Sequence, residues 1–327
     1  MVKKIVLSGL QPSGTLHIGN YLGMLKNATS LQEKKDYERF YFIADYHSLT
    51  QKFTPKGKRE EIFNLAVDLL AAGLDPKKST LFVQSHIREH ANLAWILDTI
   101  TSVGELERMI EYKEKIKQGQ VPNAGLFNYP VLMAADILIY KADFVPVGED
   151  QRQHLELTRT VARTFNNRFG KTFPEPKNLP TPTPRVMSLA DPTQKMSKSI
   201  PKGCLFLSDS PKEIRAKVMS AQTDSGRTID YSPEKRPAVS NLVSIYAGFA
   251  NTTPQKVVKE FEGKGYADFK KSLADLLIKK LTPFQKKRAA LLKNRKKVMK
   301  ILEDGAKVAR PIAEKTLEEV KNKIGLI

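Results

Sequence analysis

Two short segments, Thr15-Leu16-His17-Ile18-Gly19-Asn20 and Lys195-Met196-Ser197-Lys198-Ser199, stand about 180 residues apart. Each has the composition of a loop made to meet a charged ligand. The first follows an apolar strand-like run, Ile5-Val6-Leu7, and the turn Ser8-Gly9-Leu10-Gln11-Pro12-Ser13-Gly14. Glycines and a proline among small polar residues suit a tight turn where backbone approaches a ligand. A helix begins near Leu16, and a helix N-terminus beyond the carboxyl end of a parallel strand favours phosphate. In the second segment, lysines three apart across a turn can both reach one diphosphate. A chain carrying both segments is constrained to a nucleotide-binding fold whose two halves close on one phosphate-bearing ligand.

The pattern along the chain agrees. Residues 3 to 8, 39 to 44 and 79 to 84 read as buried strands, with helical patterns between them. One such helix covers about Arg59 to Ala72, with Ile62, Leu65, Ala66, Leu69 and Leu70 near one face and Gly73 as its C-cap. Alternation of this kind predicts βαβ units and a Rossmann-like parallel sheet, an α/β fold. Prolines at 174, 176, 180, 182 and 184 mark a surface crossing or boundary. From Ser210 onward the pattern turns helical, with helices expected over 266 to 281, 283 to 303 and 305 to 323. The expected organisation is a catalytic α/β domain over 1–185, a connector over 186–204, an all-helical domain over 205–303, and a C-terminal helix over 304–327 that either stands apart or packs back.

Composition sets bounds. No apolar run approaches the roughly 20 residues that span a bilayer. The N-terminus lacks a signal-peptide pattern. Cys204 is the only cysteine, which excludes a disulfide framework and argues against a thiolate metal cluster, so a reducing cytoplasm is expected. The net charge of +19 fits either a solvated basic surface or a polyanionic partner. The distribution favours the partner: Leu276 to Leu302 holds no acid but carries Lys279, Lys280, Lys286, Lys287, Arg288, Lys293, Arg295, Lys296, Lys297 and Lys300.

Neither Gly-x-Gly-x-x-Gly nor the Gly-x-x-x-x-Gly-Lys-Ser phosphate loop occurs, which disfavours dehydrogenase and ordinary NTPase readings. His17 can donate to a phosphoryl oxygen as charge builds. Gly19 leaves room for a base or ribose against the backbone, and Gln11 and Asn20 can bond sugar or phosphate oxygens. Taken alone, the same segment also reads as a glycine-rich turn with a capping histidine.

Taken together, the two segments resemble the His-Ile-Gly-His and Lys-Met-Ser-Lys-Ser signatures of class I aminoacyl-tRNA synthetases, the second letter for letter. The chain is similar in particular to the bacterial tryptophan–tRNA ligase branch. Gly104-Glu105-Leu106-Glu107-Arg108-Met109, Leu132-Met133-Ala134-Ala135-Asp136-Ile137-Leu138-Ile139-Tyr140, and the run from Val145 to Arg159 carry that likeness over nearly the full length. The resemblance implies attack by the tryptophan carboxylate on the α-phosphate of Mg·ATP, with no metal held tightly by the protein. Transfer to tRNA(Trp) follows, in a cytoplasmic homodimer that does not enter membranes and that has a helical anticodon-binding domain. It implies ATP contacts at Gln11, Pro12, Ser13, Gly19, Asn20, Gly148, Glu149, Asp150, Val186, Lys195, Met196, Ser197, Lys198 and Ser199, with His17, Lys195 and Lys198 catalytic. Tryptophan contacts are implied at Leu7, His47, Tyr129, Met133, Asp136 and Gln151. Two positions depart: Asn20 replaces the last histidine, as is common in this branch, and Leu7 stands where an aromatic often lines the indole pocket. Leucine there keeps an apolar wall and gives up ring stacking of about 0.5–1.5 kcal/mol.

Tyr129, Met133, Asp136 and Tyr140 lie at i, i+4, i+7 and i+11, on one helical face among apolar neighbours. An acid there needs a donor. An indole N–H is one solution, with Met133 packed on the ring. An internal tyrosine or arginine is another. Glu149 and Asp150 suit the substrate's α-amino group, the ribose, or a helix cap. His47 suits the pocket or a packed structural site. Trp95 and Cys204 read as core. The apolar stretches over 91–103 and 126–140 suit a dimer interface or one large core. A tyrosine–tRNA ligase, a non-catalytic RNA-binding paralogue and an adenylyltransferase remain as alternatives.

Overall fold

The computed structural model describes residues 3–117, 119–148, 151–179, 185–198 and 200–327. A five-stranded sheet forms from β1 (Lys4–Leu10), β2 (Tyr37–Ile43), β3 (Thr80–Val83), β4 (Phe144–Val145) and β5 (Lys177–Asn178). The spatial order is β3-β2-β1-β4-β5, and every pairing is parallel. The chain builds outward from β1 through β2 to β3, then returns to the other side of β1 to lay down β4. That reversal leaves a crevice beyond the carboxyl ends of β1 and β4, where ligands of open α/β sheets bind.

Alternation along β2 separates two cores. Tyr41 and Ile43 join Leu81 and Val83 on one face, and Phe40 and Phe42 join Leu7 and Phe82 on the other. The helices before the crossover are α1 (Ile18–Asn20), α2 (Lys26–Leu31), α3 (Pro55–Ala71), α4 (Glu89–Asp98), α5 (Val103–Glu107), α6 (Ile110–Lys117) and α7 (Ala124–Leu138), followed by α8 (Arg152–Phe169) after β4. A π turn at Tyr21–Leu25 joins α1 to α2. The second core is filled by α4, α7 and α8.

A helical region follows: α9 (Pro211–Met219), α10 (Pro237–Ala250), α11 (Pro254–Glu260), α12 (Tyr266–Leu292) and α13 (Arg295–Lys323). Its apolar residues are continuous with the core on the first face of the sheet. Three expectations change here. Pro283 does not break a helix: it lies exposed inside α12, where water can satisfy the carbonyl left without an amide partner. The break falls at Lys293–Asn294, with the Asn294 side chain accepting from Lys297 N at 3.2 Å as the cap of α13. One unbroken α13 therefore runs through residues 303 to 305. Trp95, read as core, is 73% exposed. Leu93, Ala94, Ile96 and Leu97 already fill the buried side of α4, and the indole is turned outward.

Helix α13 passes from one core to the other. Val298 and Leu302 belong to the first, and Ala306, Ala309 and Ala313 to the second. It crosses the sheet beside β3 at Gly305, where a Cβ would stand 1.9 Å from the Leu81 carbonyl oxygen. Glycine is required for that approach, and the helix covers the edge strand.

Candidate active site

The crevice at the β1/β4 reversal is a cleft of about 1740 Å³. It is lined at one end by His17, Gly19, Asn20, Val186 and Lys195 to Lys198, and at the other by Leu7, Tyr129, Met133, Asp136 and Gln151. Residues more than 180 positions apart thus share one cavity.

At the first end, the segment after β1 turns into α1 through a reciprocal cap. His17 Nδ1 accepts from Gly19 N at 3.1 Å, and Asn20 Oδ1 accepts from His17 N at 3.0 Å. The imidazole is held at a pKa of about 4 by burial and by Lys198 and Lys195. The ring is therefore neutral, and with Nδ1 used as an acceptor its proton sits on Nε2. A Cβ on Gly19 would meet the His17 ring at 2.9 Å, so glycine at this position lets the cap form.

The loop after 185 is a hairpin: Met196 N donates to Val186 O at 3.1 Å and Ser188 N to Gln194 O at 2.8 Å. Asn241 on α10 clamps its base, donating to Met187 O at 3.0 Å and accepting from Met187 N at 2.9 Å. Met196 is buried and anchors the loop. Lys198 Nζ then reaches the turn before the first segment, donating to Ser13 O at 2.7 Å and lying 3.3 Å from Ser13 Oγ. Burial lowers the Lys198 ammonium below its usual range against the pull of Asp68 and Glu61.

At the second end, Asp136 is 1% exposed. His47 Nε2 lies 2.8 Å from Oδ2, while Gln84 Nε2 and His90 Nδ1 lie 2.7 and 2.6 Å from Oδ1. Burial alone would raise this carboxyl, but His47 and His90 outweigh it and hold it below the usual range. Beside it, the Tyr129 hydroxyl is 2.8 Å from His154 Nε2, and burial and Glu111 raise its pKa. Burial also opposes ionisation of Glu111, but Lys115 at 3.0 Å prevails and lowers it. No group of three or more His, Cys, Asp or Glu side chains among the described residues is placed to hold a metal ion.

The family model for tRNA synthetases class I (W and Y) matches residues 2–282. A tryptophan–tRNA ligase from Caldanaerobacter subterraneus is 49% identical over 99% of this chain and 99% of its own length. The chain belongs to the tryptophan–tRNA ligase family. Solved tryptophanyl-tRNA synthetases agree in shape. That of Mycoplasma pneumoniae superposes with a TM-score of 0.90 at 36% identity, covering 99% of this chain and 98% of the other. That of Campylobacter jejuni, solved with ADP and tryptophan, gives 0.84 at 36% identity, covering 98% and 99%.

Against the tryptophan–tRNA ligase pattern, the fold brings most of the expected residues to one place. Leu7, Gln11, His17, Gly19, Asn20, His47, Tyr129, Met133, Asp136, Gly148, Gln151, Val186 and Lys195 to Lys198 all line the cleft. Ser13 meets it through Lys198, and Pro12 is buried in the same turn but is not among the lining residues. Glu149, Asp150 and Ser199 lie outside the described residues. Asp136 does have internal partners, though they are two histidines and a glutamine, not a tyrosine or arginine. Gln84 and His90 went unread, as did Glu111 and Lys115. For Gln84 a signal existed: it follows β3 directly, at the sheet end where such sites form.

Proposed function

We propose that this enzyme joins L-tryptophan to tRNA(Trp) in two steps within this one cleft. The observation that carries the reading is the docking of Lys198 on Ser13, which closes the loop of residues 195 to 198 over the same cavity that ends at Asp136. The triphosphate lies between His17 and the two lysines, and the amino acid between Leu7, Met133 and Asp136. The tryptophan carboxylate attacks the α-phosphorus, its oxygen bonds there, and the bond to the β-phosphate oxygen breaks. Lys195 and Lys198 offset the charge on the departing pyrophosphate, and the neutral His17 donates from Nε2 to an α-phosphoryl oxygen. Magnesium arriving with ATP would offset charge on the phosphate oxygens, and no protein ligand is assigned to it. The terminal adenosine of tRNA then takes the acyl group and AMP leaves. Charging of a tRNA(Trp) transcript with labelled tryptophan tests the reading, and charging of tRNA(Tyr) with tyrosine instead would overturn it.

The tRNA lies along the basic face of α12 and the start of α13. Arg288 is held out of this by buried Asp68, which its Nε bonds at 2.6 Å, while exposed Arg295 pairs through Nη1 with exposed Glu60 at 2.9 Å. The lysines at 279, 280, 286, 287, 293, 296, 297 and 300 are exposed, and Lys300 pairs only with exposed Asp304. Phosphate contacts of this kind position RNA, and anticodon reading comes from other groups.

The enzyme works in the cytoplasm as a homodimer. Trp95, Val103, Ile110 and Val121 are each at least 59% exposed. They lie within one stretch of chain, and large apolar side chains left in water there suit a second copy. Sedimentation equilibrium is expected to give twice 36.8 kDa, and a mass of 36.8 kDa would refute the dimer. No helix among the described residues is long and apolar enough to cross a membrane.

A further inference from the structure

Beneath the amino-acid end of the cleft lies a buried polar cluster that the reaction itself does not use. Gln84 and His90 are 0% exposed, and Tyr140 is 0% exposed. Tyr46 N donates to Gln84 Oε1 at 3.1 Å, which turns the Gln84 amide nitrogen toward Asp136 Oδ1 at 2.7 Å. His90 stands between two oxygens: Nδ1 is 2.6 Å from Asp136 Oδ1, and Nε2 is 2.8 Å from the Tyr140 hydroxyl. Phe42 and Phe82 pack against the His90 ring, at centroid distances of 5.8 and 6.3 Å.

Counting acceptor sites decides what this cluster does. A carboxylate oxygen offers about two lone-pair directions. Gln84 and His90 together fill both on Oδ1. On Oδ2, His47 fills one at 2.8 Å. One acceptor direction remains, on the oxygen beside His47, and both Asp136 and His47 line the cleft. A carboxyl with one open acceptor site and no proton accepts from an N–H and offers nothing to an acceptor.

We propose that His90, braced by Tyr140, and Gln84 are positioning residues for amino-acid selection: by saturating Oδ1 of Asp136 they leave a single aimed acceptor on Oδ2, which selects a ring that donates. This rests on the reading of the cleft as a tryptophan site and adds the groups that make Asp136 selective. With the Tyr140 hydroxyl donating to Nε2, a ring proton sits on Nδ1, facing Asp136. Gln84 is oriented by backbone in the same way.

The test compares tryptophan with its sulfur isostere, β-(3-benzothienyl)alanine, which keeps the shape and lacks the ring N–H. Pyrophosphate exchange is measured with each, on the full-length enzyme. In the wild type, kcat/KM favours tryptophan. A wild type that does not separate the two would overturn the reading of Asp136 as indole acceptor, whatever the variants do. Given that preference, His90→Leu is expected to lose about ten- to a hundredfold with tryptophan and less than threefold with the isostere. His90→Asn, whose amide nitrogen falls near the position of Nδ1, should recover most of the loss. Tyr140→Phe should shrink the preference by a smaller factor, about three- to tenfold, and it keeps the question open to test if His90→Leu fails to fold. Equal losses on both substrates, in either variant, would show that the cluster only supports packing. Full activity with both substrates in both variants would show that Asp136 needs no positioning. Either result overturns the proposal.

Discussion

Lys198 Nζ donates to the carbonyl oxygen of Ser13 at 2.7 Å, across 185 positions of sequence. The loop of residues 195 to 198 therefore touches the turn after β1 directly, and under the proposed function its ammonium group serves the departing diphosphate. Such a lysine stabilises the transition state more than the ground state. Lys198→Ala and Lys195→Ala are each expected to slow single-turnover adenylate formation at least a hundredfold, with less than tenfold change in the KM for ATP. Normal single-turnover rates with weakened ATP binding would mean that the lysines only hold the substrate.

Asp136→Ala should cost about 2–4 kcal/mol in tryptophan activation, read as kcat/KM for pyrophosphate exchange. The same change strands donors from His47, Gln84 and His90, so it also lowers the midpoint of urea unfolding. Asp136→Asn separates the two effects: it keeps the packing and impairs acceptance. Losses below tenfold for both variants would remove Asp136 from the substrate site.

The neutral state of His17 has a pH signature. Its pKa falls from 6.5 unfolded to about 4 in the fold. Between those values the unfolded chain takes up a proton that the folded chain refuses, so stability drops as pH falls from 7 toward 4. Between pH 7 and pH 5 this group contributes a loss of about 1–2 kcal/mol. In urea unfolding at the two pH values, His17→Asn should lose that much less than the wild type. Equal losses would place His17 as an ordinary titrating surface histidine.

Gly305 tests how α13 is seated. Alanine would gain about 1 kcal/mol of helix propensity, but its Cβ would stand 1.9 Å from the Leu81 carbonyl oxygen. Backbone on both sides resists the shift, so overpacking wins. Gly305→Ala is expected to be destabilised by about 1–3 kcal/mol net in chemical denaturation. A stabilised variant would show that α13 does not pack on β3 as described.

The basic face can be tested without touching the two arginines that join α12 and α13 to α3. Reversing Lys286, Lys287, Lys293 and Lys296 to glutamate should weaken tRNA binding and flatten its salt dependence. Tryptophan-dependent pyrophosphate exchange should stay within threefold of wild type. Unaltered tRNA affinity, or equal losses in both assays, would make this face ordinary solvated surface.

Much of the cleft's lining was legible because the segments that form it stand out locally. Short apolar runs ending in glycine or polar turns gave β1, β2 and β3 to within about two residues, and the two loops that meet at the cleft stand out by their own composition. What escaped depends on tertiary contact. Gln84 and His90 look unremarkable in sequence, since nothing within ten residues of either shows that Asp136 is their partner. Arg288 and Arg295 read as free charge because Asp68 and Glu60 lie more than 200 positions away. Pro283 read as a helix break because its exposure, which makes it tolerable, is a property of the fold. Trp95 read as core because hydrophobicity alone does not say which side of α4 faces inward.

Pyrophosphate exchange into ATP, run with each of the twenty amino acids in turn, bears most directly on the claim that one cleft holds ATP at the lysine loop and tryptophan at Asp136. The account predicts exchange with tryptophan at least a hundredfold above every other amino acid, tyrosine included. Exchange driven best by tyrosine, or by none of the twenty, would contradict it.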